Sequence, residues 1–398
     1  MKEKKKEQKQ NRKTGLFIIL AFIFAIVAVA GYWLVRYLVG LQKEGSMIPG
    51  LLYAALCAWV TNVLQCEVHE AGHLFFGLIS GYTFGFYRVR GFAWIRQEGR
   101  IRFRRFSVAG TGGQCLMVPP EFGEKGIPYV LYNMGGILLN LLTAVLAVYA
   151  CLVLGEKNWY RFIFLVLFAF NGVWMALVSG IPVRGKLVNS DGRNILECAR
   201  NKEGMRAFWV QLKIAEYMAK DVRIKDMPEE WFRITENATV QRAMPGIMAM
   251  YSVKRLMDEH RFEEAAEKIE GIEETAHSLS SLQRFLLTTD RVFCELVGSQ
   301  KEDVLDRWND RKNRSLAEEM ERQMSVMRTR YAYALLKEKD RKKAEKIRKT
   351  FETAVRFYPY PFKAEVQGER ELMDLAEQRA GQIDENRALQ EPQKCEGI

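Results

Sequence analysis

The sequence predicts a mainly α-helical membrane protein: a bundle of about four spanning helices with one β-hairpin loop, followed by a soluble helical domain. Three observations carry this reading. Long uncharged apolar runs fill the chain up to about Pro182, whereas Lys, Arg, Glu and Asp crowd the remainder. A polar trio, Glu67, His69 and Glu70, interrupts the second apolar run. An arginine-rich stretch with a period of two separates the second run from the third. The 398 residues leave room for two or three domains. They divide into a basic N-terminus (1–14), an apolar anchor (15–38), a membrane core (47–195) and a helical domain (196–398).

A span needs about 20 largely apolar residues to cross the hydrocarbon layer. Leu16–Val35 meets this without a charge. Its basic leader and Ala28-Val29-Ala30 also fit a cleavable signal peptide, but the apolar run continues past that point, which favours an anchor. Met47–Cys66 is the second span, and its apolar character resumes after the polar trio as far as Gly85. Ile127–Leu154 and Phe162–Pro182 are the third and fourth.

Orientation follows from the basic residues. Lys2, Lys4, Lys5, Lys6, Lys9, Arg12 and Lys13 precede the first run, and Arg88, Arg90, Arg96, Arg100, Arg102, Arg104 and Arg105 fall between the second and third. Under the positive-inside rule both segments face the cytoplasm. Gly40–Ser46 and Gly155–Arg161 then lie outside, and both termini lie inside. The net charge of +11 is explained by this placement, and no base-reading module accompanies it, so nucleic acid is not an expected partner. The lipid bilayer is. The seven cysteines show no Cys-x-x-Cys spacing and read as small buried hydrophobes rather than disulfides or zinc ligands.

His69, Glu70 and His73 form H-E-x-x-H. On a helix, positions i and i+4 share a face one turn apart. Two imidazoles so placed can reach one Zn2+ at about 2.0–2.1 Å each. The glutamate beside them can take a proton from a water that the metal has made acidic. Two histidines and a carboxylate without such a use would be expensive in an apolar segment. A catalytic zinc usually takes a third protein ligand. His260 and His277 lie far along the chain, whereas Asp191, in "SGIPVRGKLVNSDGRNI" just past span four, lies at the same membrane face as His69 and His73. Taken alone, Asp191-Gly192 is an ordinary turn pair.

At this point the sequence resembles the site-2 proteases, a family of intramembrane zinc metalloproteases. "HEAGH" matches the motif of the family's first core helix. "YNMGGILLNLLTA" at Tyr132–Ala144 resembles the middle core helix. "SGIP…SDG" resembles the third core segment, which ends in Asp-Gly and supplies the third ligand. The resemblance covers about Met47–Ile195. It implies His69, His73 and Asp191 as zinc ligands, Glu70 as the catalytic base, and a membrane-spanning protein as substrate. It implies regulated intramembrane proteolysis in a bacterial cell membrane. The sequence departs from the family at three places, one of them a gap from Pro182 to Asp191 longer than in the commonest version. Ser179 stands where the family has an Asn three residues before a proline, and Ile137 stands where it often has Pro. Asn140 is therefore open between two roles, an oxyanion donor to the substrate or a helix-packing polar residue.

The segment Phe84–Val108 alternates, with Phe92 and Trp94, a turn at Gln97-Glu98-Gly99, then Ile101 and Phe103 set against arginines. This reads as one β-hairpin. Family members carry a membrane-associated hairpin here, and the resemblance implies that Trp94, Ile101 and Phe103 hold an unwound substrate as an added strand. A basic hairpin resting on anionic headgroups is the plainer reading.

In the soluble half, "LMDEHRFEEAAEKI" at Leu256–Ile269 and "LLKEKDRKKAEKI" at Leu335–Ile347 each read as a helix end, a polar turn and a second helix, which resembles a tetratricopeptide helix pair. Such a domain suits docking of a protein partner. The tail after Gln378 reads as polar and frayed. Two rival functions stay open from sequence: a quality-control membrane zincin whose third ligand is a Glu, and a non-catalytic scaffold acting through its helical half.

Overall fold

The computed structural model describes residues 47–97, 99–105, 112–154, 158–184, 189–233, 243–275, 279–299, 301–356 and 363–390. The expected anchor at Leu16–Val35, its basic leader and His277 lie outside these residues.

Three described helices are long and apolar enough to cross a membrane. The first, α1 (Met47–Ile79), is continuous over 33 residues. Pro49 sits in its first turn, where a missing N–H leaves no gap. The polar trio does not break it: His69 and Glu70 are buried within the protein, and the Glu67 side chain is exposed. The helix ends where Gly81 takes φ +84°. There the Tyr82 N–H donates to the Gly77 carbonyl and the Gly81 N–H to that of Leu78, a closure that favours glycine. The other two are α2 (Tyr129–Leu154) and α3 (Trp159–Gly180). Asn158 caps α3 by accepting from the Arg161 N–H. Ile181 leaves α3 with extended backbone because Pro182 follows it. Helices α1 and α2 cross in near backbone contact: a Cβ on Gly72 would lie 2.2 Å from the Gly135 carbonyl oxygen.

The expected single hairpin is half of a larger element. Strands β1 (Thr83–Val89), β2 (Phe92–Gln97), β3 (Arg100–Arg105) and β4 (Gly113–Val118) form an antiparallel sheet in the order β3-β2-β1-β4. The expected hairpin is the β2–β3 pair, with Trp94 opposite Phe103 and Gln97 opposite Arg100, so that Gln97 ends β2 instead of belonging to the turn. The sheet runs back along α1. The Tyr87 hydroxyl donates to the Glu67 carbonyl, and the Arg90 guanidinium lies 5.3 Å from the Trp59 ring centre. Arg88 is completely buried and donates to the Arg90 carbonyl. It therefore does not belong with the exposed basic residues among which its sequence position set it.

The expected domain boundary at 195/196 falls inside α4 (Asp191–Arg200). Asn201 then caps α5 (Lys202–Ala219). One apolar cluster joins Tyr82, Met117 and Tyr132 to Phe208, Trp209 and Trp231, so α5 packs onto the sheet and α2. No flexible junction separates the halves at that point.

The rest of the chain is helical: α6 (Ala243–Asp258), α7 (Phe262–Thr275), α8 (Ser281–Val297), α9 (Glu302–Arg307), α10 (Arg311–Glu319), α11 (Met324–Ala332), α12 (Arg341–Arg356) and α13 (Lys363–Gln390). Both sequence-similar stretches form helix–turn–helix units. Each turn carries one left-handed residue, His260 or Lys339, and each second helix buries an alanine five residues on, Ala265 or Ala344. The core of this half holds a charged cluster. Arg328 donates to Asp290 and to Glu369, each at 2.8 Å, and Lys254 also reaches Asp290. The tail expected to fray after Gln378 continues as helix to Gln390, consistent with its run of Ala, Glu, Gln and Arg. The six described cysteines are all free thiols.

Candidate metal centre

Helix α1 sets His69 and His73 one turn apart on a buried face. Asp191 joins them from the start of α4. Its position is fixed by Ser190, whose hydroxyl donates to the Ile181 carbonyl and accepts from the N–H groups of Val183 and Arg193. This clamp folds the segment after α3 back onto the end of that helix. Gly192 is needed for the return, since a Cβ there would lie 1.8 Å from the Gly180 carbonyl oxygen.

The three side chains converge. His69 Nε2 lies 3.1 Å and His73 Nε2 3.4 Å from Asp191 Oδ2, and the two Nε2 atoms are 3.2 Å apart. Ligands on a tetrahedral zinc at about 2.0–2.1 Å lie about 3.3–3.4 Å from each other, so the spacing fits the ion. Donor chemistry fits it as well. His69 Nδ1 faces Asn140 Oδ1 at 2.6 Å, and His73 Nδ1 faces the Tyr132 carbonyl at 2.8 Å. Both partners accept, so each ring donates from Nδ1 and turns its Nε2 toward the carboxylate. Three such atoms meeting in a buried space suit a cation.

Glu70 is buried beside this cage. Its carboxylate packs against Gly113 of β4, where an added Cβ would stand 2.7 Å from Oε1. A cavity of about 420 Å³ opens onto His69, Glu70, His73 and Asp191. Gly113 and Gln114 of β4 form one wall, Phe208, Gln211 and Leu212 of α5 another, and Ile247 and Tyr251 of α6 close it. Tyr251 also lines a second cavity, of about 260 Å³, among α5, α6, α8, α11 and α13.

The sequence-predicted residues divide into two groups. His69, Glu70, His73 and Asp191 come together, and Asn140 joins them through His69. Asn140 is not placed to donate to a substrate, because its Nδ2 is committed to the Gln65 carbonyl at 2.9 Å and to Gln65 Oε1 at 2.7 Å. Trp94, Ile101 and Phe103 stand apart from the cavity. They form an exposed patch on β2 and β3, with Trp94 and Phe103 rings 5.6 Å apart, at the opposite side of the sheet from β4. His260 stacks on Phe262 in the α6–α7 turn, away from the cage. Sequence reasoning missed Gly113, Gln65 and the walls from α5 and α6. It noted Ser179 only as a departure, yet the Ser179 hydroxyl lies 3.2 Å from His69 Nε2. The Gly112-Gly113 pair before the short apolar run Cys115–Val118 was the available signal for β4.

No family model matches the chain, and no curated protein or solved structure is similar to it.

Proposed function

We propose that this protein is a zinc metalloprotease that hydrolyses peptide bonds of membrane-spanning proteins, with its C-terminal half and the His69 end of the cleft on the cytoplasmic side. The observation that carries the reading is the convergence of His69, His73 and Asp191 within bonding range of one ion, with Glu70 directly alongside.

His69, His73 and Asp191 would hold the zinc, which when bound would supply Lewis acidity and lower the pKa of a water at the site. The chain's own residues do the rest. Glu70 accepts the proton of the attacking water and returns it to the amine that leaves as the C–N bond breaks. The substrate backbone must be unwound first. We assign it to β4, pairing as an added strand, because β4 is the sheet edge that lines the cleft beside Glu70. Strand β3, the other edge, lies away from the cleft. Ser179, the hydroxyl nearest the cage, is the candidate donor to the carbonyl oxygen of the substrate.

Glu70→Gln separates binding from chemistry. Zinc content of the purified variant should stay stoichiometric while cleavage disappears and single-span membrane proteins accumulate in cells. Persistent cleavage would remove Glu70 from the reaction. Wild-type protein that takes up no zinc would remove the proposal as a whole.

A further inference from the structure

Inside the three-helix bundle, a chain of side chains leads away from His69 with a fixed direction. His69 Nδ1 meets Asn140 Oδ1; Asn140 Nδ2 meets the backbone carbonyl and Oε1 of Gln65; Gln65 Nε2 meets the Phe168 carbonyl at 3.0 Å. Asn140 and Gln65 have no exposed surface. Each amide could be drawn either way round, but two backbone carbonyls remove the choice. A carbonyl only accepts. The Phe168 carbonyl therefore requires Gln65 to point its NH₂ group at α3 and its oxygen at Asn140. The Gln65 carbonyl and that oxygen require Asn140 to point its NH₂ at α1 and its oxygen at His69. His69 must then hold its proton on Nδ1, leaving the Nε2 lone pair free for a metal.

We infer that Asn140 and Gln65 are positioning residues that lock the tautomer and ring orientation of His69, and that Phe168 on α3 sets the polarity of the whole chain. The inference rests on the proposed zinc reading for its use but not for its geometry. It extends the helix-packing expectation for Asn140, which ties α2 to α1 through Gln65 and also contacts His69, and it sets aside the role of donor to substrate. His73 does not share the device. Its Nδ1 is held by a backbone carbonyl directly, that of Tyr132, and so needs no side-chain relay. Outer partners of metal-bound histidines typically change affinity by about 10–100-fold when removed.

The test uses the full chain in detergent or nanodiscs, as wild type, Asn140→Leu and Gln65→Met. In metal-free protein labelled with ¹⁵N-histidine, the wild-type His69 ring should show Nδ1 protonated and hydrogen-bonded throughout, whether or not Nε2 takes a proton toward Asp191. Asn140→Leu should release it to a mixture, and Gln65→Met should do so in part. The His73 resonances should stay unchanged in both, which reports an intact bundle. Zinc competition against a chelator should then show affinity lower by about 10–100-fold for Asn140→Leu and by less for Gln65→Met. An unchanged His69 tautomer in both variants overturns the inference. A shifted tautomer with unchanged zinc affinity overturns its functional part. Wild-type protein that binds no zinc defeats the protease proposal and leaves the tautomer measurement to decide this one.

Discussion

Gly113 and Glu70 touch across the mouth of the cleft: a Cβ added to Gly113 would fall 2.5 Å from Cγ of Glu70 and 2.9 Å from its carboxyl carbon. Strand β4 thus lies flush against the proposed general base, with no room for the smallest side chain. Gly113→Ala must displace Glu70 or push β4 away. Misplacement of a catalytic group by about 1 Å can cost about 10²-fold. We expect kcat to fall by about that factor, with zinc affinity unchanged, because neither partner is a ligand. Steady-state cleavage alongside chelator competition reads both quantities.

Ser179 should matter to chemistry more than to metal binding. Its hydroxyl lies beside the cage without belonging to the three ligand atoms. Ser179→Ala should keep stoichiometric zinc and lower kcat, by up to about 10²–10³-fold if the hydroxyl is the main donor to the developing oxyanion. Single-turnover cleavage of a reconstituted substrate measures it.

The helix crossing at Gly72 and Gly135 has no slack, because the obstructing atoms are backbone on both sides. Gly72→Ala should lower thermal stability of the membrane core by about 1–3 kcal/mol, the usual cost of overpacking. Gly135→Ala should do the same, and the double variant should cost less than the sum because one separation relieves both clashes. Thermal unfolding in a fixed detergent provides the comparison.

The charged cluster of the C-terminal half predicts a pH dependence. Burial opposes ionisation of Asp290, but Lys254 and Arg328 outweigh it and lower its pKa below the ordinary value. A carboxyl with a depressed folded-state pKa stabilises fully above its unfolded pKa, about 4, and loses that contribution as pH falls through the folded value. Wild-type stability should therefore drop below about pH 4. Asp290→Asn should be less stable at neutral pH and show a shallower acid dependence. Arg328→Leu strands Glu369 and half-strands Asp290, at a cost of about 3–5 kcal/mol. Denaturant titrations across pH distinguish these cases.

Much of the site was legible because its chemistry is periodic or compositional. H-E-x-x-H needs only helical spacing to place two imidazoles on one face, and the apolar runs bounded the helices to within a few residues. Asp191 was legible because a turn pair stood at the right depth. What was not legible depended on contacts distant in sequence. Strand β4 follows a stretch with no clear alternation, so only the β2–β3 half of the sheet announced itself. Arg88 reads as a surface charge by composition, and its burial follows from the β1 pairing and the packing of the sheet along α1. Asn140 could be noticed but not assigned, since its role depends on which end of its amide faces His69. The walls from α5 and α6 were invisible because Phe208, Ile247 and Tyr251 look like ordinary core residues of a separate domain.

Under the proposed protease reading, those walls would govern turnover. If α5 and α6 roof the cleft, an extended chain reaches Glu70 only when the roof lifts from β4. Opening is then a step in every catalytic cycle, with its own rate, and it can be slower than bond breaking. A partner gripping the far end of the helical half would act on the protease as a hand on a hinge, altering how often the cleft admits a strand and leaving the chemistry untouched.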